Sequence, residues 1–481
     1  RPNRLFAAQA DLFSRYMTLW SDTTRRAAGE DVPAAPSTDK RFKDPAWSEN
    51  PMFDMMRQSY LATADWMNSL IASAEDVDVR TRRRAEFFTK LLTDAFSPAN
   101  FLASNPAALK AMAESNGESL VKGMQNFAAD MERGMGKLKI SQADYGKFVV
   151  GENVATAPGQ VVWRDELFEL LQFDAATDKQ RAIPLLIFPP WINRFYILDL
   201  NAKKSFVRWA VEQGVTVFMV SWKSADAPMA DMVWDDYIKA QIEAIDVVRE
   251  RLKVPAVHAV GYCVAGTTLA ATLAVLARKG EAATFNALRG NDLIWSYVEK
   301  NYLKGEEHPA FDLLHWNGDV TNLPARWHRD YLRDLYRDNR LVVADSLQAC
   351  GVPVDLHRIA TPVYIQAGRE DHIAPPQSVW KLTHYLSGPW TFLLAGSGHI
   401  AGVVNPPSSG KYQYWTNDGS PETLEDFVAG ASEHPGSWWP HWREWIGKLD
   451  STEVSARGKR RPGGRGDRVI EDAPGRYVAE R

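Results

Sequence analysis

A cysteine in a tight turn between a predicted strand and a predicted helix constrains this chain more than any other feature. Residues 257–260 are largely apolar and β-branched, which is typical of a buried strand. Residues 268–276 are rich in Ala and Leu and predict a helix. Between them, at 261–266, lies Gly-Tyr-Cys-Val-Ala-Gly. This is the strand, turn and helix of a nucleophile elbow, with Cys263 where hydrolases have serine.

The small residues of the turn fit this interpretation. Gly261 and Ala265 allow the strand and the helix to pack closely, and Gly266, which has no side chain, allows neighbouring backbone to approach closely. The N–H groups and the dipole at the start of the helix favour a thiolate at Cys263. A lone cysteine after a strand is nevertheless more often a small buried apolar side chain. The interpretation therefore depends on catalytic partners elsewhere in the chain.

Two more polar side chains follow predicted strands. Residues 362–367 predict a strand that leads to Asp371, and residues 390–394 predict one that leads to His399. The carboxyl ends of parallel strands meet at the edge of the sheet where ligands bind. An isolated Asp here is usually a helix cap, and an isolated His usually lies on the surface. The order nucleophile, acid and histidine is that of the α/β-hydrolase fold, so we predict a triad of Cys263, Asp371 and His399.

The triad indicates covalent acyl chemistry. His399 would take the thiol proton of Cys263, and Asp371 would hold the imidazole tautomer and stabilise the imidazolium. A thiolate that attacks a thioester forms another thioester, so the acyl group stays activated for transfer to an alcohol. Acyl transfer is therefore favoured over hydrolysis, provided that a lid excludes water.

An oxyanion hole is predicted from two loops. The N–H of Val264, directly after the nucleophile, would form one half. The other half is expected from the loop after a strand at 183–188, with Ile192 as the first choice and Trp191 in reserve.

The alternation of strands and helices from about residue 161 predicts an α/β domain with a mostly parallel central sheet. We assign residues 151–450 to this catalytic domain. Residues 281–345 interrupt the alternation with many Trp, Tyr, Arg and Asp side chains and predict an inserted lid. Residues 451–481 are assigned to a C-terminal tail. Its part 451–467 is charged and Gly-rich and is expected to be flexible or to run over the surface, with the basic cluster 459–461 in solvent.

Residues 1–150 predict a helical N-terminal domain for docking or dimerisation. Apolar residues recur at helical spacing over 52–71, and 81–96 predicts a second helix. Asn105 as N-cap and Pro106 at the first helical position open a third helix that is expected to continue to about residue 131.

Composition excludes several classes of protein. The net charge of −4 gives no general case for binding nucleic acid. The two cysteines, Cys263 and Cys350, form no disulfide framework and suit a reducing cytosol, and Cys350 is expected to pack in the core. We expect no transmembrane segment, since no run approaches the roughly 18 apolar residues that one needs.

Several longer motifs resemble those of the bacterial class I polyhydroxyalkanoate synthases, which have the α/β-hydrolase fold. The resemblance extends to the helical N-terminal region and the C-terminal tail, so it covers nearly the whole chain. The motifs that carry it lie at residues 188–200, 234–237, 261–266, 291–295, 311–324, 368–373, 396–407 and 471–475.

The resemblance implies polymerisation of (R)-3-hydroxyacyl-CoA, usually the 3-hydroxybutyryl thioester, into polyester with release of CoA. Cys263 corresponds to the family's nucleophile and His399 to its general base. Asp371 corresponds to its catalytic acid, which helps to activate the substrate hydroxyl during elongation. His372 corresponds to a histidine for which we expect a structural role. The resemblance also implies a cytoplasmic homodimer on polyester granules that needs no cofactor or metal, with granule-associated proteins as further partners.

The chain departs from the family pattern after Gly280, where we expect a strand and a helix to be missing. A unit of this kind takes roughly 30 or more residues. We therefore predict one of two situations. Either a fuller version of the chain carries the unit, or the strands at 257–260 and 363–366 pair directly and the geometry of Cys263 and His399 is loosened.

Two other functions remain as alternatives. One is a thioesterase or esterase of the same fold with a cysteine nucleophile. The other is a granule-associated or dimerisation subunit that the deletion after Gly280 has left inactive.

Overall fold

The computed structural model describes residues 2–33, 36, 38–74, 77–138, 140, 145–280, 285–288, 302–304, 312–464 and 466–480. The motif at 291–295 and the parts of the predicted lid at 281–284, 289–301 and 305–311 lie outside these residues. The chain divides into two compact units, Arg1–Asp144 with Leu293–Pro309 and Tyr145–Asp292 with Ala310–Arg481. No helix in the described part of the chain is both long and apolar enough to cross a membrane.

The first unit is helical. Its helices are α1 (Pro2–Ala27), α2 (Ala46–Glu49), α3 (Pro51–Ala72), α4 (Val79–Ala95), α5 (Pro106–Glu114) and α6 (Glu118–Arg133). Asn105 caps α5 as expected, because its side chain accepts hydrogen bonds from the N–H groups of Ala107 and Ala108. The single helix expected from residue 106 to 131 is wrong. Asn116 and Gly117 have φ values of +51° and +86°, a left-handed conformation that ends one helix before the next begins.

The second unit is built from short strands and helices. Its strands are β1 (Gly159–Arg164), β2 (Phe168–Phe173), β3 (Lys179–Arg181), β4 (Leu185–Phe188), β5 (Asp199–Asn201), β6 (Lys204–Ser205), β7 (Val217–Trp222), β8 (His258–Tyr262), β9 (Phe285–Leu288), β10 (Gln348–Ala349), β11 (Val352–Pro353), β12 (Val363–Gly368), β13 (Trp390–Ala395), β14 (Gln413–Thr416), β15 (Ser432–Pro435), β16 (Glu453–Ser455) and β17 (Glu471–Asp472). Its helices are α7 (Phe206–Glu212), α8 (Trp234–Leu252), α9 (Ala265–Lys279), α10 (Asp312–Gly318), α11 (Ala325–Asp330), α12 (Pro376–Trp380), α13 (Leu424–Ala429) and α14 (Trp439–Leu449).

Eleven of the described strands form one sheet in the order β15-β14-β13-β12-β9-β8-β4-β7-β2-β1-β17. The central strands from β13 to β7 are parallel, whereas the pairs on both flanks are antiparallel. Helices α8 and α9 pack on one face, and α7 and α14 pack on the other. The predicted α/β-hydrolase fold is therefore confirmed, with the parallel pairing confined to its centre.

The gap expected after Gly280 is occupied by β9. This strand is parallel to both neighbours and pairs two of its residues with β8 and three with β12. The predicted direct pairing of the strands at 257–260 and 363–366 is therefore wrong. A four-residue strand satisfies part of the backbone of both neighbours, which removes much of the cost of unpaired buried N–H and C=O groups.

Residues 451–480, which we call the C-terminal segment, pack against the sheet. In this segment β16 pairs with β3 and β17 pairs with β1. The expectation that the whole basic cluster at 459–461 is solvated is wrong for Arg460, which is buried. Its guanidinium donates to the carbonyl oxygens of Arg181 and Ala182 at 3.0 and 2.7 Å. A guanidinium carries five N–H donors on a planar fork, so one side chain can satisfy both carbonyl oxygens.

Candidate active site

The turn after β8 has the geometry of a nucleophile elbow. Cys263 has a φ of +59°, a left-handed conformation that is uncommon for a residue with a side chain. Gly261 has no room for a side chain, since a Cβ there would lie 2.9 Å from the Cα of Gly266. This close approach of β8 and α9 forces the sharp turn, and it leaves the Cys263 side chain half-buried at the carboxyl end of the sheet.

The structure brings the three predicted triad residues together. The sulfur of Cys263 lies 3.9 Å from Nε2 of His399, and Nδ1 of His399 lies 2.9 Å from Oδ2 of Asp371. Asp371 and His399 are both buried, at 4% and 7% exposure. These distances connect nucleophile, imidazole and carboxylate in the order that proton transfer requires.

The other carboxylate oxygen of Asp371 is also engaged. It accepts hydrogen bonds from the N–H groups of Ile373 and Ala374, each at 2.9 Å. Gly368 lets the two loops approach, because a Cβ at this position would lie 3.0 Å from the Ser397 carbonyl oxygen. The acid is therefore held in place by its own loop, with one oxygen directed at the imidazole. His372 is exposed.

Cys350 lies in a different setting from Cys263. It is in the hairpin between β10 and β11, and its N–H donates to a carboxylate oxygen of Asp235 near the start of α8. Burial raises the pKa of the Cys350 thiol, and the Asp235 carboxylate raises it further. A thiol with a raised pKa is a poor nucleophile at neutral pH, so the geometry and the electrostatics both favour Cys263.

The two predicted oxyanion residues lie in the expected loops. Val264 directly precedes the first residue of α9, and Ile192 is half-buried in the loop after β4. The reserve candidate, Trp191, is fully buried against Trp327 and Tyr331, with ring centroids 5.2 Å away in both cases. Burial of the indole anchors the loop.

Sequence reasoning missed the residues that support this loop. Thr321 donates hydrogen bonds to the carbonyl oxygens of Trp191 and Ile192. Arg194 is buried, and its guanidinium lies 3.5 Å from the carboxylate of Asp319. These residues lie in or near motifs that the sequence analysis recognised. Their contacts span more than 120 residues of chain, which no local pattern reveals.

Comparison with known proteins identifies close sequence relatives. Residues 38–210 match a family model described as Poly-beta-hydroxybutyrate polymerase (PhaC) N-terminus. The poly(3-hydroxyalkanoate) polymerase subunit of Rhizobium meliloti is 41% identical over 532 positions, which cover all of this chain and 86% of the relative. That of Cupriavidus necator is 42% identical and covers 98% of this chain and 88% of the relative. Poly(3-hydroxyalkanoate) polymerase 1 of Ectopseudomonas oleovorans is 34% identical, with coverages of 94% and 88%.

The comparison with the Rhizobium meliloti protein also shows a difference in length. It extends over 532 positions, 51 more than the 481 residues of this chain. The relative therefore has at least that many positions that this chain lacks.

Proposed function

Because the chain belongs to the family of poly(3-hydroxyalkanoate) polymerases, we propose that it joins (R)-3-hydroxyacyl units from their CoA thioesters into a polyester that is carried on Cys263. The observation that carries this proposal is the connected arrangement of Cys263, His399 and Asp371 at a strained turn. The 3-hydroxybutyryl thioester is the substrate that the resemblance favours.

In the first step the enzyme is acylated. Nε2 of His399 takes the thiol proton of Cys263, and the thiolate attacks the carbonyl carbon of the substrate thioester. The N–H groups of Val264 and Ile192 stabilise the oxyanion. The bond from the carbonyl carbon to the CoA sulfur then breaks. The CoA sulfur takes the proton from His399, and the acyl group remains on Cys263 as a thioester.

In the second step the chain grows. The 3-hydroxyl of the next substrate attacks the thioester carbonyl, and His399 accepts the hydroxyl proton. A carbon–oxygen ester bond forms while the carbon–sulfur bond to Cys263 breaks, and the cysteine sulfur takes the proton back. The lengthened chain, now a CoA thioester, returns to Cys263 by the first step with release of CoA.

We assign Asp371 to orientation of His399 in both steps. Family resemblance implies a more direct role in activating the substrate hydroxyl. The contacts of Asp371 support orientation instead, since one of its oxygens faces the imidazole and the other accepts two backbone N–H groups. A carboxylate with both oxygens engaged in this way stabilises the imidazolium without taking a proton itself.

Incubation with 3-hydroxybutyryl-CoA tests the proposed reaction. We expect insoluble polyester and one CoA released for each unit incorporated. Free 3-hydroxybutyrate with CoA would instead identify a thioesterase. Binding to polyester granules without CoA release would identify an inactive granule-associated relative.

We further propose that the protein acts as a homodimer at the surface of cytoplasmic polyester granules, where it can meet granule-associated proteins. The helical first unit would dock there. Support comes from α4, where Phe87, Phe88 and Leu92 are 53–59% exposed. Exposed apolar side chains of this kind mark interaction surfaces.

Granule sedimentation tests this docking. The double variant Phe88→Ser, Leu92→Ser should reduce the bound fraction severalfold. In the matched control, Val428 and Ile470 of the second unit are replaced by Ser in the same way. These residues are 49% and 47% exposed, and the control should bind granules like the wild type. Equal loss in both variants would assign binding to general surface hydrophobicity.

A further inference from the structure

The loop after β4 has successive carbonyl oxygens tied to a single residue. Thr321 donates its Oγ1 hydrogen to the carbonyl oxygen of Trp191 at 2.7 Å. Its backbone N–H donates to the carbonyl oxygen of Ile192 at 3.3 Å. Thr321 is itself buried, at 8% exposure. Two bonds from one buried residue therefore set the orientation of two consecutive peptide planes in this loop.

The peptide plane between Trp191 and Ile192 contains both the carbonyl that Thr321 holds and the N–H assigned to the oxyanion hole. This peptide bond is trans. In a planar trans peptide the C=O and N–H bonds point in opposite directions. A hydrogen bond that fixes the Trp191 oxygen on one side therefore directs the Ile192 N–H to the other side.

We propose that Thr321 is a positioning residue whose hydroxyl holds the Ile192 N–H in the orientation that stabilises the oxyanion. This inference rests on the proposed function, because it assumes that Ile192 donates to a developing oxyanion. Donors in such a site are effective when they are oriented before the reaction begins. Without the hydroxyl, the peptide plane is free to rotate and its N–H loses that orientation.

The segment that carries Thr321 is itself fixed to the loop. We call residues 316–321 the brace. Trp316 donates Nε1 to the Arg194 carbonyl oxygen at 2.7 Å, and the Asp319 carboxylate lies 3.5 Å from the Arg194 guanidinium. Asp319 also accepts a 2.7 Å hydrogen bond from the hydroxyl of Tyr196. The brace and the loop therefore form one connected body, which is the condition for a single hydroxyl to act as a precise support.

Two reactions of the same thiol separate positioning from general support. Acylation of Cys263 by a thioester builds negative charge on a carbonyl oxygen and needs the oxyanion hole. Alkylation by iodoacetamide is a displacement at a saturated carbon, in which the Cys263 sulfur forms a bond to carbon and iodide leaves. Alkylation builds no negative charge on an oxygen in the oxyanion hole. A defect confined to the Ile192 N–H should therefore slow the first reaction and spare the second.

The experiment uses full-length protein that carries Cys350→Ala, so that Cys263 is the single thiol. Thr321→Val should lower kcat and the rate of acylation by 3-hydroxybutyryl-CoA about tenfold, less than the 10²–10³ cost of losing a donor outright. KM and the rate of iodoacetamide alkylation should stay within about twofold. Thr321→Ser, which keeps the hydroxyl, should restore the acylation rate.

Thr383→Val is the matched control. Thr383 is also buried, at 6% exposure, and its hydroxyl also donates to a backbone carbonyl, that of Trp380 at 2.8 Å. Thr383→Val should lower the free energy of unfolding about as much as Thr321→Val does, and it should keep the acylation rate of the parent. If Thr321→Val does not fold, Thr321→Ala takes its place in the same comparison.

Three results would overturn the inference. Acylation unchanged in folded Thr321→Val would show that the hydroxyl is dispensable. Acylation and alkylation falling together would show that Thr321 supports the site only generally, and an equal loss in Thr383→Val would show the same. A parent protein that releases no CoA would instead contradict the proposed function.

Discussion

Two buried arginines anchor the C-terminal segment, one at each end of the central parallel strands. At the carboxyl ends, Arg194 donates from the loop after β4 to the carbonyl oxygens of Tyr477 and Glu480. At the amino ends, Arg460 donates from the C-terminal segment to two carbonyl oxygens just before β4. Both guanidinium groups are buried, Arg194 at 2% exposure and Arg460 at 8%.

The surroundings of the two arginines differ. Arg194 lies two residues from Ile192 and has the Asp319 carboxylate 3.5 Å from its guanidinium. Arg460 is surrounded by neutral acceptors, including the Thr216 hydroxyl at 3.0 Å, and burial lowers the pKa of Arg460. We therefore expect the same anchoring chemistry to shape the candidate site at one end of the sheet and to contribute stability alone at the other.

Among the variants that test this comparison of the two ends of the sheet, the largest effect is expected for the nucleophile. Cys263→Ala should abolish CoA release and leave the free energy of unfolding nearly unchanged, because the side chain is half-buried at a turn. Cys350→Ala should retain near wild-type activity. Loss of CoA release in folded Cys350→Ala would show that the second thiol takes part in the chemistry and would contradict this assignment.

The next largest effect concerns His399 and Asp371. His399→Gln should slow acylation and elongation by a factor on the order of 10⁴–10⁶, because both steps need the imidazole. Asp371→Asn should slow both steps in the same proportion if the acid acts through His399. Single-turnover acylation and steady-state CoA release measure the two steps separately. Asp371→Asn could instead acylate near the wild-type rate and fail to elongate. That result would show that Asp371 acts directly on the substrate hydroxyl.

A third prediction separates the two arginines directly. Arg194→Met should slow acylation about tenfold, since small misplacements of a catalytic loop have large rate effects. Arg460→Met should lower the free energy of unfolding by about 1–3 kcal/mol, through carbonyls left unsatisfied, and keep the acylation rate.

Arg194→Lys sharpens this test, because it keeps a positive charge beside Asp319 but loses the planar fork that reaches the Tyr477 and Glu480 carbonyl oxygens, so it should recover only part of the rate. Rates are compared well below the unfolding temperature of each variant. A slowed acylation in folded Arg460→Met would show that the two ends of the sheet are coupled.

The smallest effect on activity is expected at the amino ends of the strands, where a buried histidine should change stability alone. Burial lowers the pKa of His258, the first residue of β8, from its ordinary value near 6.5 to about 4, and the Asp450 carboxylate opposes this shift. Between these pH values the unfolded chain binds a proton that the folded chain does not. The free energy of unfolding should therefore fall as the pH falls from 6.5 to 4, by about 3 kcal/mol from this group.

Urea unfolding from pH 7 to pH 4 measures this contribution. His258→Gln should flatten the pH dependence and leave acylation at pH 7.5 unchanged. Parallel curves for wild type and variant would show that His258 does not titrate as its burial requires.

The elements that position the triad could be predicted from sequence because each depends on local pattern. The apolar run before Gly261 and the two strands that lead to Asp371 and His399 are buried on both faces, so their side chains are almost continuously apolar. The tight turn around Cys263 demands small neighbours, which the sequence displays directly.

Other features could not be predicted because they depend on distant contacts. The strand β9 has four residues and is defined by pairing with strands on both sides. The support that Thr321 gives to the Trp191 carbonyl bridges 130 residues of chain. Burial of Arg460 depends on carbonyl groups nearly 280 residues earlier, so its basic neighbours suggested solvent instead.

The most direct test of the account is the position of the acyl group on the protein. Wild-type protein is mixed with 3-hydroxybutyryl-CoA, quenched in acid within seconds, and digested for mass spectrometry. We expect a ladder of 3-hydroxybutyryl units on the peptide that contains Cys263, and an unmodified peptide that contains Cys350. Acyl groups on Cys350, or CoA release with no acylated Cys263 at any time, would contradict the account.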